Sequence, residues 1–246
     1  MTGDHATELR IVEVASGTAM TASEGSAISP PSWSPDGKRL AFADGTLRIY
    51  DVEDAELTDL SVSATGVDWS PTDGKLALVS DTELSVSDTD GSEAELLFEG
   101  GLSISTPRWS PNGERVAFTT MPDIGAPLQL LVLAPGGEPV ALGAGQEPAW
   151  SPDGTELAYA RPTEEGSPAT DIYTVDVAGG EPRRLTESVT LDEQPSWSPD
   201  GLRIAYLARP DLSTAFLCIV PLDTFSADCL DLPQGLAPLS LAWSPQ

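Results

Sequence analysis

Histidine, lysine and cysteine are scarce in this chain, and each scarcity excludes a class of chemistry. His5 is its one histidine, so neither a Ser-His-Asp triad nor a histidine-ligated metal centre is expected in the rest of the sequence. Lys38 and Lys75 are its only lysines, and the formal net charge is −27. Phosphate binding needs a basic patch, so nucleic acid and anionic membrane surfaces are not expected as partners.

Long apolar runs are also absent. No stretch reaches the roughly 18 consecutive apolar residues that a membrane-spanning helix needs, so no membrane insertion is predicted. The N-terminus, residues 1–5, has neither the basic start nor the apolar segment of a secretory signal. The chain is therefore expected to be a cytosolic protein, a mature chain or an excised domain. The strand pattern at the two termini favours an excised domain.

The strongly acidic composition has three interpretations. It indicates a solubilising surface from an organism that prefers arginine to lysine, an adaptation to high salt, or attraction of a basic partner. All three stay open at this point.

A repeat of about forty residues organises the chain. Each of the six tryptophans begins a Trp-Ser-Pro motif, and in the first five copies a glycine turn and a small apolar triplet with a central alanine follow. The motifs are 36 to 47 residues apart and begin at Trp33, Trp69, Trp109, Trp150, Trp197 and Trp243. A period of this length with strand signals throughout predicts a β-propeller.

The chemistry of one repeat predicts a four-stranded blade. Proline presets the turn and glycine takes the left-handed conformation, which gives a tight hairpin between strand A, ending in tryptophan, and strand B. Alternation places Ala41 on the opposite face from Leu40 and Phe42, and a small residue there in five copies predicts close approach by the neighbouring blade. A second hairpin, such as residues 47–52 with 56–60, supplies strands C and D.

These motifs resemble the WD40-like (PD40) repeat of the TolB β-propeller family. The blade that begins at Trp150 matches best, with Leu157-Ala-Tyr159, Asp171-Ile-Tyr173 and Arg184-Leu-Thr186 in the family's order. The resemblance implies an all-β fold, a six-bladed β-propeller with four-stranded antiparallel blades, in a single domain of residues 1–246. The blades are expected to begin near residues 28, 65, 105, 146, 193 and 239.

The sixth, closing blade is expected to be built from both termini. Residues 239–246 supply a strand A and residues 9–23 supply strands C and D, whereas the first eight residues lack the apolar pattern of a strand B. Closure by both termini removes exposed sheet edges. The weak strand B predicts an incomplete closing blade or the boundary of a larger parent protein.

Unequal loops predict where a partner binds. The connections between strands B and C are short in the first two blades and longer in the next three, at residues 119–127, 161–170 and 208–215. Function commonly lies on loops carried by a rigid scaffold, so we predict a partner-binding region over blades three to five; variation in loop length without function is the alternative. The predicted contact residues are Asp123, Ile124, Arg161, Glu164, Asp171, Arg209 and Asp211 on the loops, with Glu147 and Glu193 nearer the channel.

No cofactor is predicted. Residues 88–99 contain the Asp-x-Asp-Gly start of a calcium loop and a glutamate at its twelfth position, but no helix flanks the segment and the family's C–D hairpin reads the same way. A metal in the channel would need oxygen ligands at the tops of the inner strands, where Glu147 and residues 192–194 are the candidates. No carboxylate pair stands out by spacing as an acid–base pair.

The two cysteines, Cys218 and Cys229, fall on strand C and strand D of the fifth blade. The short connection between these strands places them opposite each other, so a cross-strand disulfide and an oxidising compartment are predicted. Two buried thiols that act as small apolar side chains are the alternative.

The resemblance implies a non-enzymatic, monomeric module that binds a protein or an extended peptide on the loop face or at the channel mouth. We expect an extracytoplasmic location, with a cytoplasmic one as the alternative. A second hypothesis is the substrate-gating propeller of a prolyl-oligopeptidase-type peptidase; no Gly-x-Ser-x-Gly segment occurs, so the catalytic domain would be absent here. A metal-dependent, lactonase-like propeller enzyme is the third.

Overall fold

The computed structural model describes residues 7–12, 19–25, 28–164, 167–211 and 214–232. All regular secondary structure in these ranges is β-strand, so the predicted all-β class is confirmed. The strands are β1 (Thr7–Val12), β2 (Ala19–Gly25), β3 (Ser32–Trp33), β4 (Arg39–Ala43), β5 (Gly45–Asp51), β6 (Glu56–Ala64), β7 (Gly66–Trp69), β8 (Leu76–Ser80), β9 (Glu83–Ser87), β10 (Glu95–Glu99), β11 (Ser103–Trp109), β12 (Val116–Met121), β13 (Gln129–Leu133), β14 (Val140–Ala144), β15 (Gln146–Trp150), β16 (Glu156–Pro162), β17 (Thr170–Asp176), β18 (Arg183–Arg184), β19 (Leu191–Trp197), β20 (Arg203–Arg209), β21 (Phe216–Pro221) and β22 (Asp228–Asp231).

The chain divides into two compact units, residues 1–99 and 100–246. The first unit contains the hairpin β1–β2 and two four-stranded antiparallel sheets, β3–β6 and β7–β10. The second unit contains the sheet β11–β14 and two further blades, β15–β18 and β19–β22, which one parallel pair, Thr170 with Leu191, joins into a larger sheet. The four-stranded antiparallel blades predicted from the repeat are therefore present, and the strands follow chain order within each.

The hairpin β1–β2 corresponds to the strands C and D predicted within residues 9–23. Its two strands pair antiparallel, with Leu9 opposite Ser23, and they extend slightly beyond the predicted range. The strand A predicted for residues 239–246, the region before Thr7 and His5 within it lie outside the described residues. The make-up of the closing blade therefore stays a prediction.

A small polar network holds four of the Trp-Ser-Pro turns in the described part of the chain. In the fifth blade the Ser198 hydroxyl donates to Asp200 and accepts the N–H of Arg203 at 2.9 Å. Gly201 takes a φ of 70° and donates its N–H to the carbonyl of Ser198 at 2.8 Å. The same serine network recurs in the turns that begin at Ser34, Ser110 and Ser151. Serine and aspartate in the motif are therefore turn-forming residues, which explains why they recur.

In three blades the central alanine of the triplet lies at the seam with the next blade, as predicted: Ala41, Ala117 and Ala158 are each buried in a cluster that contains the next blade's tryptophan. Ala41 is fully buried and belongs to one apolar cluster with Val67 and Trp69 of the next blade. Ala158 is likewise buried in a cluster with Trp197 of the fifth blade. A larger side chain at either position would meet these neighbours, because protein interiors are close-packed.

Tryptophan also links the blades of the second unit through hydrogen bonds. The indole Nε1 of Trp150 donates to the carbonyl of Arg108 at 2.9 Å, and that of Trp197 donates to the carbonyl of Ala149 at 3.1 Å. Each accepting residue directly precedes the tryptophan of the preceding blade. The repeat therefore specifies the contact between blades as well as the blade itself.

The outer strand of the fourth blade, β18, has only two residues; beyond it the N–H of Leu185 still donates to the carbonyl of Ile172 at 2.8 Å, and side chains supply further contacts. The Asp171 carboxylate, fully buried, pairs with the guanidinium of Arg184 and accepts the N–H of Ser188 at 3.0 Å. The N–H of Ile172 donates to Thr186 Oγ1 at 2.9 Å. The Arg-Leu-Thr motif therefore fixes the end of this blade.

Candidate functional site

A cleft of about 860 Å³ lies between the B–C hairpins of the third and fourth blades. Its apolar walls include three prolines and a tyrosine, Pro127, Pro162, Pro168 and Tyr173, and its polar groups come from the second hairpin. Both hairpins belong to the longer loops that the sequence singled out. The cleft therefore lies within the region predicted to bind a partner.

Arg161 is the cation of this cleft. Its guanidinium carbon lies 5.3 Å from the centroid of the Tyr173 ring, within the range of a cation–π contact. The ring of Tyr159 packs against that of Tyr173, with 6.0 Å between the two ring centroids, and the Tyr159 hydroxyl is buried. Burial raises the pKa of the Tyr159 hydroxyl, so this side chain stays neutral beside the arginine. Arg161 therefore lies on the cleft wall, where the ring of Tyr173 supports its guanidinium and Tyr159 packs against Tyr173.

Two turns present the other predicted residues of this region. In the first hairpin, the Asp123 carboxylate accepts the N–H of Ile124 at 2.8 Å, and the Ile124 side chain is 86% exposed. In the second, the carbonyl of Glu164 accepts the N–H of Ser167 at 3.0 Å, and Glu164 lines the cleft with Arg161. The structure therefore brings Arg161 and Glu164 together and places Ile124 in the hairpin that forms the opposite wall.

Three residues predicted on loops lie in strands instead. Arg161, Asp171 and Arg209 belong to β16, β17 and β20, because strand pairing continues further than the turn signals indicated. Asp171 requires a further correction: its side chain is 0% exposed and its oxygens are used within the fourth blade. It acts in blade structure rather than on an exposed loop.

The first strands of three successive blades bulge at one repeat position, three residues before the tryptophan. The register shifts there in β11, β15 and β19, and Thr106, Glu147 and Gln194 have φ angles of 51°, 56° and 53°. The left-handed conformation is unfavourable for residues other than glycine and is concentrated at functional sites. A bulge also re-aims the side chain that it carries.

Glu147 and Gln194 meet at this position. The Glu147 carboxylate accepts the backbone N–H of Gln194 at 2.7 Å, while the side-chain Oε1 of Gln194 is buried without a hydrogen-bond partner. Burial raises the pKa of the Glu147 carboxyl, and the nearby charge of Glu193 acts in the same direction. The first strands of the fourth and fifth blades, β15 and β19, therefore present two acceptor side chains next to each other.

Glu193 is paired rather than free. It forms an ion pair with Arg209, and each side chain is 19% exposed. Asp211 is used within its own loop, where its carboxylate accepts the N–H and the hydroxyl of Thr214 at 2.8 and 3.2 Å. The structure therefore groups Glu147 with the Glu193–Arg209 ion pair, next to the bulges of β15 and β19.

Cys218 and Cys229 are directly opposite each other in the β21–β22 pair, and a disulfide joins them. Cys218 is fully buried, whereas Cys229 is exposed. The bond fastens the outermost described strand of the fifth blade to its neighbour.

Among the described residues, no group of three or more His, Cys, Asp or Glu side chains is placed to hold a metal ion. The same part of the chain contains no helix that is long and apolar enough to cross a membrane.

Sequence reasoning missed Tyr173 and the three cleft prolines. Tyr173 belongs to an Ile-Tyr motif that the sequence indicates as part of the blade's structure. Prolines in loops indicate turns, so neither residue type suggested a binding surface. The long B–C loops located this region and pointed to Arg161 and Glu164, but they gave no sign of its apolar walls.

Comparisons with known proteins agree with this architecture. The family model of the TolB beta propeller domain matches residues 74–211. Over 111 residues the chain is 29% identical to the uncharacterized peptidase YuxL of Bacillus subtilis (strain 168), an alignment that covers 37% of this chain and 17% of that peptidase.

Two solved structures extend the comparison to nearly the whole chain. A protein assigned as TolB from Agrobacterium tumefaciens has a TM-score of 0.70 at 18% identity, over 92% of this chain and 89% of that one. TolB from Acinetobacter baumannii has a TM-score of 0.71 at 22% identity, over 93% of this chain and 60% of that one. At these identities the likeness shows the fold, a β-propeller.

Proposed function

The chain belongs to the TolB β-propeller domain family, and from this premise we propose that it is a non-catalytic, extracytoplasmic module that binds a protein partner. The partner inserts an extended segment into the cleft between the third and fourth blades. The observation that carries the proposal is the chemistry of this cleft: rigid apolar walls with one arginine held in place by an aromatic ring.

The walls suit an extended peptide. Proline and tyrosine side chains offer apolar area that loses little conformational freedom on binding, which is the usual character of a peptide-recognition groove. A cleft of about 860 Å³ is within the size range of ligand sites.

The polar groups define which segment fits. Arg161 presents planar donors that suit a carboxylate, and its stacking on Tyr173 limits the freedom it would lose on pairing. We therefore propose a segment that carries an apolar side chain next to a carboxylate. The net charge of −27 repels an acidic protein, so the rest of that partner is neutral or basic.

Site-specific photocrosslinking in the native host tests the cleft. A photoreactive benzoylphenylalanine replaces Ile124, in the hairpin of the cleft, or Leu202, in the A–B turn at the other end of a blade; these side chains are 86% and 64% exposed. We expect a discrete adduct from position 124 that Arg161→Glu abolishes, and none from position 202. Equal adducts at both positions, or an adduct that Arg161→Glu leaves unchanged, would count against the cleft.

The similarity to a peptidase favours a second candidate function. The chain matches 17% of the length of YuxL, so it corresponds to a part of that protein. A propeller that filters substrates for a separate catalytic domain would share this pattern. Immunoblotting of the host with an antibody against this chain distinguishes the two: a species large enough to include a hydrolase domain supports the gating role, and a species of 246 residues excludes it.

A further inference from the structure

A second cavity, of about 510 Å³, lies beside β18 in the second unit. It is bounded on one side by the segment from Arg184 to Ser188, and on the other by Asp192, Tyr206 and the loop that carries Phe225. The cavity begins at the end of β18, and residues of the fourth and fifth blades line it. It is separate from the cleft lined by Arg161, and a ligand in this cavity is independent of the function proposed for that cleft.

Asp192 contributes a buried carboxylate, one oxygen of which accepts no hydrogen bond from the described residues; burial raises the pKa of this carboxyl, and the nearby hydroxyls of Thr186, Thr190 and Ser188 act against that rise. The residue is 1% exposed; its Oδ1 accepts the hydroxyl of Thr190 at 2.9 Å, whereas its Oδ2 is buried without a partner. Leaving such a group unpaired away from water costs free energy, and the cost is greatest for a charged group.

Neighbouring side chains do not supply a counter-ion. Arg184 lines the same cavity, but its guanidinium is engaged by Asp171 and lies 3.6 Å from Glu187. The other polar groups around the carboxylate are the hydroxyls of Thr186, Ser188 and Tyr206. Burial raises the pKa of the Tyr206 hydroxyl, and the charges of Asp192 and Asp171 act in the same direction, so Tyr206 is a neutral group that can accept or donate.

The rest of the cavity is apolar. Leu185, Phe225 and Ala227 line it; Phe225 is 46% exposed, and the Arg183 guanidinium lies over its ring, 5.4 Å from the centroid. A ligand that fits has a cationic or donating head for the carboxylate and an aliphatic stem for these side chains. Lysine has this form, because its ammonium carries three donors on a flexible four-carbon chain.

We propose that this cavity is a binding site for a primary alkylammonium group, with Asp192 as its counter-ion. The ammonium donates to Asp192 Oδ2 and to the hydroxyl oxygens of Tyr206 and Ser188, and its methylene chain lies along Leu185 and Phe225. The lysine side chain of a partner and a free small amine share this chemistry.

Titration followed by 1H–15N NMR tests the site with two matched probes. Blocked lysine (Nα-acetyl-lysine methylamide) and blocked norleucine have the same stem and differ in the ammonium. We expect saturable shifts at Thr186, Ser188 and Tyr206 with the lysine probe, in the millimolar range of a single-side-chain site, and none with norleucine. Butylamine distinguishes the two sources of the ammonium group. If butylamine binds about as tightly as the lysine probe, the natural ligand is a free amine; if it binds much more weakly, the natural ligand is a lysine within a peptide.

Two variants separate a specific site from weak surface attraction to an acidic protein. Asp192→Asn keeps the shape of the side chain and removes its charge, so we expect at least about tenfold weaker binding of the lysine probe. Glu181→Gln removes an exposed charge of the same blade outside the cavity and should leave affinity nearly unchanged. Tyr206→Phe is the fallback if Asp192→Asn does not fold. No saturable shift, equal response to norleucine, or equal loss from the Asp192 and Glu181 variants would overturn the proposal.

Discussion

The aspartate of the Trp-Ser-Pro-Asp-Gly turn is an internal hydrogen-bond acceptor. The Ser198 hydroxyl, the N–H of Leu202 and the Arg203 guanidinium lower the pKa of Asp200 to about 2. The pKa of Asp153 is lowered in the same way, with the Ser151 hydroxyl as the largest cause. A carboxyl whose pKa is lower in the folded state than in the unfolded chain stabilises the fold while it is ionised.

We predict that the contribution of Asp200 is full above its unfolded pKa of about 3.9 and is lost as pH falls toward 2. Asp200→Asn should fold, because Asn112 takes the equivalent place in the third blade and accepts the Ser110 hydroxyl at 2.7 Å. Urea midpoints of the wild type and the variant should differ most at neutral pH and converge on acidification. The exposed Asp223→Asn serves as the control, and a pH-independent difference would contradict the prediction.

The roles of single residues were predictable from the sequence where their partners are local. The turn residues belong to this class, since Ser198, Asp200 and Arg203 lie within six positions of one another. Asp171 does not: its partners Arg184 and Ser188 follow 13 and 17 residues later. The stretch before Asp171 reads as a loop, and only the pairing of β16 with β17 shows that this aspartate is buried.

At the scale of elements, the seam between blades depends on a small side chain. Ala158 is 0% exposed and packs in one cluster with Trp197 and Ile204. We predict that Ala158→Leu lowers the free energy of unfolding by about 1–3 kcal/mol, because extra methyl groups overpack a closed seam. Ala178→Leu, in an exposed turn of the same unit, should change it by less than about 0.5 kcal/mol. Urea denaturation compares the two, and equal effects would show that the seam is not tight.

The disulfide makes the fifth blade sensitive to redox conditions. Cys218 and Cys229 close a loop with a sequence separation of 11, for which the loss of unfolded-state entropy corresponds to about 2–3 kcal/mol. We predict that a Cys218→Ala, Cys229→Ala double variant is less stable by about this amount, and that the wild type in reductant behaves like the variant.

Alkylation during extraction from the host gives the companion test of location. A protein that resists alkylation until it is reduced supports the extracytoplasmic assignment, since disulfides persist in oxidising compartments. If both cysteines are alkylated without prior reduction, that support is removed. If reductant leaves the stability of the wild type unchanged, the stabilising role of the disulfide is contradicted.

The blades were predictable as elements, but the bulges in their first strands were not. Glycine turns and apolar triplets repeat in the sequence, so the four strands of each blade could be placed to within a few residues. Thr106, Glu147 and Gln194 give no such signal, because left-handed backbone is indicated in sequence mainly by glycine. Only the structure therefore shows the bulges in these first strands.

For the whole molecule, charge is the property with the widest effect. A net charge of −27 on 246 residues makes the folded state repel itself. We predict that the unfolding temperature rises when NaCl is increased from about 0.01 to 0.5 M, because screening shortens the range of this repulsion. Sucrose at matched osmolality controls for general solvent effects. An unfolding temperature that stays level or falls with salt would show that the acidic groups are already compensated.

The hydrogen bonds from Trp150 and Trp197 to the backbone of the preceding blade give the protein an internal fluorescent reporter. Indole emission moves to longer wavelength when the ring meets water, and these two side chains, 9% and 8% exposed, would gain exposure to water if their seams opened. Variants that keep Trp150 or Trp197 and replace the other five tryptophans would report the opening of one seam at a time, before any blade loses its strands. Spectroscopy could then resolve whether the second unit comes apart between its blades or within them.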